Sequence, residues 1–263
     1  LARRISRPLR TLTAAVEQFE GDAQGEPVAA SGPSDISRLI EAHNAMRERI
    51  AAMLGEKDHM LGAIGHDLRT PLAALRIRVE SVEDEEQRAR MIETIEDMSV
   101  TLEDILSLAR LGRAKQERAL LDLTSLVDTA IEDFRDVGAD VSLADGDKLV
   151  VDGRANLLKR AVRNLIDNGV RYGGRADVHL LEEAGQAVIV IDDRGPGIAE
   201  DKLESVFEPF ARLDESRGSE GGGSGLGLAL ARAIARDHGG EITLENRPGG
   251  GLRARLALPL ASA

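Results

Sequence analysis

The sequence contains no cysteine and no tryptophan, and aromatic residues make up only 2% of its 263 residues. Without cysteine, the chain can form neither a disulfide framework nor a thiolate metal site. With so few aromatic side chains, any large apolar interface must be built from leucine, isoleucine, valine and alanine, which favours packed helices and coiled coils. The 42% hydrophobic content is nevertheless enough for a globular core.

The sequence also lacks an excess of basic residues and any long apolar run. The formal net charge of -12 disfavours nucleic acid as a partner, because phosphate contacts require a concentrated basic face. No run approaches the roughly 20 apolar residues that a membrane-spanning helix needs. The first ten residues nevertheless contain four arginines and no acid, as expected just inside a membrane helix. We therefore expect a transmembrane helix to precede this sequence; the alternative is simply a basic helix end.

The first fifth of the chain carries helical hydrophobic spacing in two stretches. Apolar residues recur at steps of three and four from Ile5 to Phe19 and again from Ile36 to Met53, which is the spacing of a coiled-coil seam. Residues 21–33 between them are rich in glycine, proline, alanine and serine, so they predict a connector. The pattern predicts two short parallel helices joined by a loop.

The same spacing continues from Met60 to Val82, breaks at the acidic residues 83–86, and resumes from Met91 to Ala109. This pattern predicts an antiparallel helical hairpin. A single hairpin of this length cannot cover both sides of its apolar seam, so we expect two copies to pair as a dimeric four-helix bundle.

After about Leu120 the pattern changes to short β-rich runs that alternate with helical stretches. The predicted strands are 141–143, 149–152, 176–181, 187–192, 241–245 and 252–258, and the predicted helices are 126–134, 154–172 and 225–237. Each of these helices has one apolar face, which predicts an α/β sandwich.

The first candidate site is on the first helix of the predicted hairpin. His66 and Thr70 are four residues apart and therefore share a helix face, with Asp67 beside them. Neutral imidazole is a competent nucleophile, and a carboxylate bound to its other N–H fixes the tautomer. Pro71 cannot donate a backbone hydrogen bond and should loosen the helix here. A lone histidine would be an ordinary exposed residue, but this combination favours a reactive one.

The second candidate site is on the predicted helix 154–172. Asn164 and Asn168 project from one face of this helix, and Arg171 and Tyr172 follow them. Because Mg²⁺ prefers oxygen ligands when it bridges nucleotide phosphates, Asn168 is a candidate metal ligand. Arg171 could neutralise phosphate, and Tyr172 could flank adenine. Without further motifs, these residues would be an ordinary solvated helix face.

Two glycine-containing turns complete the set. Asp193, with Gly195 and Gly197 after it, ends a predicted strand, where a carboxylate can accept a hydrogen bond from the adenine amine. The second turn, residues 221–227, opens a helix, and its amide groups could cradle phosphate. The residues of this turn that we expect to bind nucleotide are Gly225, Leu226 and Gly227. The spacing matches neither a Walker A loop nor a Rossmann fingerprint. The alternatives are a plain turn and a flexible linker.

These motifs, with Phe207-Glu208-Pro209-Phe210 between the last two, resemble the H, N, G1, F and G2 boxes of bacterial sensor histidine kinases. The two opening helical stretches resemble the HAMP relay module of the same proteins. The resemblance implies a multidomain α plus α/β architecture. Its parts would be a parallel HAMP coiled coil over residues 1–54, a dimerisation and histidine phosphotransfer hairpin over 55–117, and a catalytic GHKL (Bergerat) α/β sandwich over 118–263.

The resemblance also implies a function, namely ATP-dependent autophosphorylation of His66 followed by transfer to an aspartate of a response-regulator receiver domain. Asp67 would be the acid/base partner, and Thr70 would position water for phosphatase activity on the regulator. Mg²⁺ would bind Asn168, with Asn164 nearby, and Asp193 would read adenine. The implied protein is a homodimer whose cytoplasmic portion, at the bacterial inner membrane, is this chain. The alternative is a catalytically silent or ATP-hydrolysing GHKL signalling relay; gyrase-like ATPases have a catalytic glutamate where this chain has Asn164.

Overall fold

The computed structural model describes residues 2–17, 27–111, 118–144, 146, 148–211 and 224–261. The chain divides into two units, residues 1–74 with 112–114 and residues 75–111 with 115–263. Among the described helices, none combines the length and the apolar character needed to cross a membrane.

The first unit consists of long helices. Helix α1 spans Ala2–Glu17, and helix α2 spans Ser34–Val79 as a single element of 46 residues. The stretches predicted at 36–53 and 60–82 are therefore joined without a break. The segment before α2 is attached to it by Asn44, whose amide donates to the Val28 carbonyl at 2.9 Å and accepts from the Val28 N–H at 3.2 Å. Phe19 and much of the predicted connector lie outside the described residues.

The predicted hairpin turn begins where α2 ends. Helix α3 spans Glu85–Arg110, and the Asp84 carboxylate caps its start by accepting from the Gln87 N–H at 3.0 Å. Across the turn, Arg76 pairs with Glu96. The break lies at residues 80–84, slightly earlier than the acidic stretch suggested, because Asp84 caps a helix that already contains the following glutamates.

The second unit contains a five-stranded sheet of order β2-β4-β5-β7-β6, in which β2 and β4 are parallel and all other neighbours are antiparallel. A two-stranded antiparallel sheet pairs β1 with β3, and β1 was not predicted from the sequence. The strands are β1 Ala119–Asp122, β2 Val141–Leu143, β3 Val150–Gly153, β4 Ala176–Glu183, β5 Gln186–Asp193, β6 Glu241–Asn246 and β7 Leu252–Pro259.

Three helices share a core with this sheet: α4 Leu123–Arg135, α5 Ala155–Gly173 and α6 Gly227–Asp237. Each buries the apolar face that its sequence period indicated, so the predicted α/β sandwich is confirmed. The packing brings α5 beside the start of α6, where the Asn164 side chain donates to the Gly227 carbonyl at 3.0 Å. Two short 3-10 turns, Glu200–Lys202 and Ser205–Phe207, were not predicted.

A buried histidine joins α6 to α5. His238 is 4% exposed; its Nε2 accepts the Arg154 N–H at 3.0 Å, and its Nδ1 lies 2.7 Å from the Ile234 carbonyl. Only the neutral ring with its proton on Nδ1 can make both bonds, because a protonated Nε2 would face another donor. Burial lowers the pKa of His238, although the bond to Ile234 and the nearby Asp237 act in the opposite direction.

This arrangement predicts a pH-dependent stability. Because the pKa of His238 is lower in the folded state, the unfolded state binds the proton first. The contribution of neutral His238 to the free energy of unfolding is therefore fully present above the ordinary imidazole pKa of about 6.5. This contribution is lost as the pH falls below that value. We expect His238→Gln to lower stability at neutral pH and to weaken this pH dependence. Urea unfolding at about pH 7.5 and pH 5.5 measures both effects. An unchanged pH dependence in His238→Gln would contradict this assignment.

Candidate functional site

His66 projects from α2 beside Asp67. Its Nδ1 lies 3.3 Å from Asp67 Oδ1, and the two side chains are 83% and 81% exposed. A carboxylate that holds the Nδ1 proton leaves the lone pair on Nε2, so Nε2 is the nucleophilic atom of this arrangement. The Thr70 hydroxyl donates to the His66 backbone carbonyl at 3.2 Å. Both residues lie in the continuous helix α2, where their spacing of four residues puts them on the same side. Pro71 lies inside α2 and supplies no N–H to the Asp67 carbonyl.

A cleft of the α/β sandwich brings the predicted nucleotide motifs together. Its volume is about 820 Å³, within the range of small-molecule sites. Nine of the ten residues predicted to bind nucleotide line it, namely Asn164, Asn168, Arg171, Tyr172, Asp193, Gly195, Gly197, Gly225 and Gly227. The tenth, Leu226, is 1% exposed and packs in the interior at the start of α6.

Asp193 is fixed at the end of β5 by one local contact and two contacts distant in sequence. Its Oδ1 accepts the N–H groups of Gly195 at 2.8 Å and of Leu252 at 2.9 Å. Arg247 donates to its backbone carbonyl at 2.7 Å. Because both of these N–H groups bond to Oδ1, Oδ2 is the oxygen suited to accept a hydrogen bond from a ligand amine. Nothing in the sequence pointed to Leu252 or Arg247.

The preceding acid, Asp192, has a different role. Its two oxygens accept from Arg253 at 2.7 and 2.8 Å, which is a bidentate ion pair between β5 and β7. Burial alone would raise the pKa of Asp192, but the bonds and charge of Arg253, with Arg247, hold that pKa below its ordinary value. Asp192 is therefore occupied structurally, and Asp193 is the acid presented to the cleft.

The two asparagines of α5 differ in their bonding. Asn164 donates to Gly227 and so ties α5 to α6. Asn168 is different, because its Nδ2 atom is buried and finds no hydrogen-bond partner within the described part of the chain. A buried amide without a partner is costly, so this side chain is suited to a polar ligand. An amide also offers a carbonyl oxygen, the donor type that Mg²⁺ prefers, and Asn168 therefore fits the predicted phosphate and metal role.

Arg171 and Tyr172 lie at the C-terminal end of α5. Arg171 Nη2 is 3.6 Å from Asp167 Oδ2, and Tyr172 is 60% exposed. The Tyr172 carbonyl approaches Gly195 so closely that a Cβ atom there would lie 2.8 Å from it. Gly195 is therefore needed for the end of β5 to pack against α5.

Gly225 closes a backbone contact at the entrance to α6. Its carbonyl accepts the Phe210 N–H at 3.0 Å, its φ is +71°, and a Cβ atom would lie 2.9 Å from the Ala211 carbonyl oxygen. Only glycine meets both requirements without strain. Gly221, Gly222 and Gly223 of the predicted phosphate loop lie outside the described residues.

Gly251 was missed as part of this site, although its glycine run was visible. Its φ is +97°, and a Cβ atom would lie 2.1 Å from the Asp193 carbonyl oxygen.

We expect Gly251→Ala to displace the end of β5 and to abolish nucleotide binding, whereas Gly250→Ala should cost only about 1–3 kcal/mol of backbone strain. Gly250 is the matched control, because its φ is +103° and a Cβ atom would meet nothing within 4 Å. Thermal unfolding and ADP titration of both variants test this; equal effects would contradict it.

Within the described ranges, no group of three histidine, aspartate or glutamate side chains could hold a metal ion.

Three family models match the chain. A histidine kinase-, DNA gyrase B- and HSP90-like ATPase domain matches residues 153–262, a His Kinase A (phospho-acceptor) domain matches 56–114, and a HAMP domain matches 1–52.

Curated relatives match along nearly the whole chain. The sensor histidine kinase GtrS of Pseudomonas aeruginosa is 38% identical over 97% of this chain and 53% of its own length. The sensor protein CutS of Streptomyces coelicolor is 32% identical over 99% of this chain and 67% of its own length. The sensor histidine kinase CpxA of Escherichia coli is 31% identical over 99% and 60%. The chain thus spans about half to two thirds of these relatives.

Solved structures agree at the level of the fold. Full-length ShkA in complex with AMPPNP superposes with a TM-score of 0.63 at 24% identity, over 79% of this chain and 47% of that chain. The histidine kinase AdeS of Acinetobacter baumannii gives a TM-score of 0.55 at 24% identity, over 75% of this chain and 98% of the AdeS chain.

Proposed function

Because the chain belongs to the sensor histidine kinases, we propose that it transfers the γ-phosphate of ATP to its own His66 and then to an aspartate of a response regulator. The observation that carries the proposal is the convergence of Asn164, Asn168 and Asp193 in one cleft of nucleotide size. The residue types in the cleft suit the two ends of ATP. The Asp193 carboxylate can accept a hydrogen bond from the adenine amine, and the asparagine amides can bind phosphate and its Mg²⁺.

ATP would bind with its adenine at Asp193 and its phosphates along α5. Asp193 Oδ2 would accept a hydrogen bond from the exocyclic amine, since Oδ1 already accepts two backbone N–H groups. Tyr172 would flank the base at the rim. The first N–H groups of α6 and the Arg171 guanidinium would attract the phosphates. Mg²⁺ held by Asn168 Oδ1 would neutralise phosphate charge during transfer.

The transfer step uses the His66 ring as nucleophile. Nε2 forms a bond to the γ-phosphorus while the bond from that phosphorus to the bridging oxygen of ADP breaks. The proton stays on Nδ1, where the Asp67 carboxylate stabilises the positive charge that develops on the ring. A regulator carboxylate would then take the phosphoryl group and restore neutral imidazole. Thr70 would position a water molecule for the separate phosphatase reaction, in which water attacks the phosphorus of the regulator's aspartyl phosphate and releases free phosphate.

The functional form that we propose is a homodimer. Apolar side chains of the predicted seams are exposed in the single chain, including Met60, Ile64, Leu68, Met91 and Met98. Burying this surface against a second copy would build the four-helix bundle. We also propose domain limits of 1–54, 55–117 and 118–263, and a cytoplasmic position next to a membrane anchor. The HAMP match and the greater length of the relatives support that position.

Incubation with γ-labelled ATP and Mg²⁺ tests the proposal. We expect a label on the protein that is lost in acid and retained in alkali, as an N–P bond requires, and that moves to a receiver domain when one is added. Release of labelled phosphate without labelled protein would instead favour the ATP-hydrolysing alternative. Tight ATP binding with neither product would favour the silent relay.

A further inference from the structure

Arg160 occupies an unexpected place on the nucleotide-binding helix. It lies one turn before Asn164 and two turns before Asn168, so the three residues follow one another along one side of α5. Its guanidinium, however, bonds to α3. Nη2 donates to Asp104 Oδ1 at 2.7 Å, and Nη1 donates to the Ser107 hydroxyl. Asp104 is only 5% exposed.

These bonds hold α3 against the nucleotide cleft. One face of α3 forms part of the cleft wall through Asp97, Val100, Thr101 and Asp104, which are spaced three and four residues apart. Below this face, Leu108 packs against the hydrophobic core of the α/β sandwich. The end of α3 is therefore docked on the core, and its preceding turns border the cleft.

The chemistry of phosphoryl transfer conflicts with this arrangement. The reaction needs an imidazole at the phosphates, yet α3 contains no histidine, and the helix that carries His66 is α2. The wall residue Asp97 is an acid, and a carboxylate that faces a triphosphate repels it. An α3 helix held in this place thus obstructs the reaction.

We infer that Arg160, Asp104 and Ser107 form a latch that keeps α3 across the cleft in a resting state, and that the latch opens before phosphoryl transfer. This inference rests on the proposed function and adds a regulatory contact to it.

The energetics of a buried ion pair suit a latch that must open. Burial raises the pKa of Asp104, and the hydrogen bond and charge of Arg160 do not fully offset that effect. The acids Glu103 and Asp167 act in the same direction as burial. Much of the attraction between Arg160 and Asp104 is therefore cancelled by the loss of hydration. The ion pair thus favours the docked position of α3 by a small net free energy, so that α3 can still be released.

Charge reversal tests the latch. We expect Arg160→Glu and Asp104→Arg each to raise the initial rate of His66 labelling at saturating ATP about fivefold or more. The double variant re-forms the ion pair in reverse and should return the rate close to the original. A rate that falls in the single variants and recovers in the double variant would mean that the contact is productive, and would overturn the latch. Failure of the double variant to restore the rate would overturn it as well.

The matched control is a neighbouring ion pair on α5. Arg163 donates to Asp133 of α4 at 2.9 Å, and it lies one position before Asn164. Arg163→Glu and Asp133→Arg change the same charges without touching α3, so their labelling rates should stay near the original. If these variants also raised the rate, the effect would be one of general charge, and the latch would be rejected.

A distance measurement separates the latch from catalysis. The chain has no cysteine, so spin labels can be attached specifically at Glu93→Cys on α3 and Asp201→Cys near the cleft. In a His66→Gln background, which cannot be phosphorylated, we expect Arg160→Glu to lengthen and broaden the distances between the labels. The double variant should restore the original distribution. Unchanged distances in the single variant would overturn the latch. If the distances responded as expected, but the original protein and the latch variants that retain His66 took up no phosphate label, the latch would stand and the proposed kinase function would fail.

Discussion

Replacement of His66 by glutamine is expected to reduce labelling of the protein by γ-labelled ATP to background. Glutamine retains helical propensity and a polar side chain but has no ring nitrogen with a nucleophilic lone pair. The cleft that would bind ATP is formed by other residues of the chain, so ATP binding should persist in this variant. Filter-bound label after alkaline washing measures the first effect, and titration with a fluorescent ADP analogue measures the second.

The matched control is His59→Gln, because His59 is also exposed on α2, seven residues earlier. This variant should label as the original protein does. Label that persists in His66→Gln would show that another group accepts the phosphate. Loss of label in both variants would point to damage to α2 rather than to loss of the acceptor.

The second large effect is expected at Asp193, where asparagine should weaken adenine nucleotide binding about 10- to 100-fold. A hydrogen bond to a charged group contributes about 1.5–3 kcal/mol, and 1.4 kcal/mol corresponds to a factor of ten. The amide oxygen of asparagine would be retained by the N–H groups of Gly195 and Leu252. Its amide nitrogen would then face the adenine amine, so that two donors oppose each other.

Asp192→Asn is the control, because it removes the neighbouring charge without changing the group presented to the cleft. This variant breaks the bidentate pair with Arg253 and should lower stability while leaving nucleotide affinity near the original. Calorimetric titration with ADP, paired with thermal unfolding, distinguishes the two variants. Equal losses of affinity would contradict the assignment of base recognition to Asp193.

The secondary structure was largely predictable because most of it follows local hydrophobic period. Strands β2 to β7 and helices α4 to α6 were each predicted within a few residues of their observed ends. Strand β1 was missed, since Ala119–Asp122 is short, has no clear alternation, and forms by pairing with β3 about thirty residues later. The two 3-10 turns were missed for a related reason, because they are too short to carry a period.

The site shows the same division between local and distant contacts. The motifs around His66, Asn168 and Asp193 were identified because each is a short run whose spacing has a chemical reason. The carboxylate of Asp193 is nevertheless held by Leu252, and Asp104 is paired with Arg160 more than fifty residues away. Neither contact has a sequence signature, because an ion pair or a backbone bond depends on how elements pack.

The amino-acid sequence alone determined which residue types stand at which spacing, and hence the helical seams, most of the strands, the candidate acceptor histidine and the candidate nucleotide motifs. Hydrophobic period and residue chemistry are local properties, so these features could be predicted without coordinates. Only the tertiary structure decided which of two adjacent acids faces the cleft, that His238 joins α6 to α5, and that Arg160 holds α3. Those outcomes depend on contacts across elements far apart in the chain, which exist only after the sheet and helices have packed into one core.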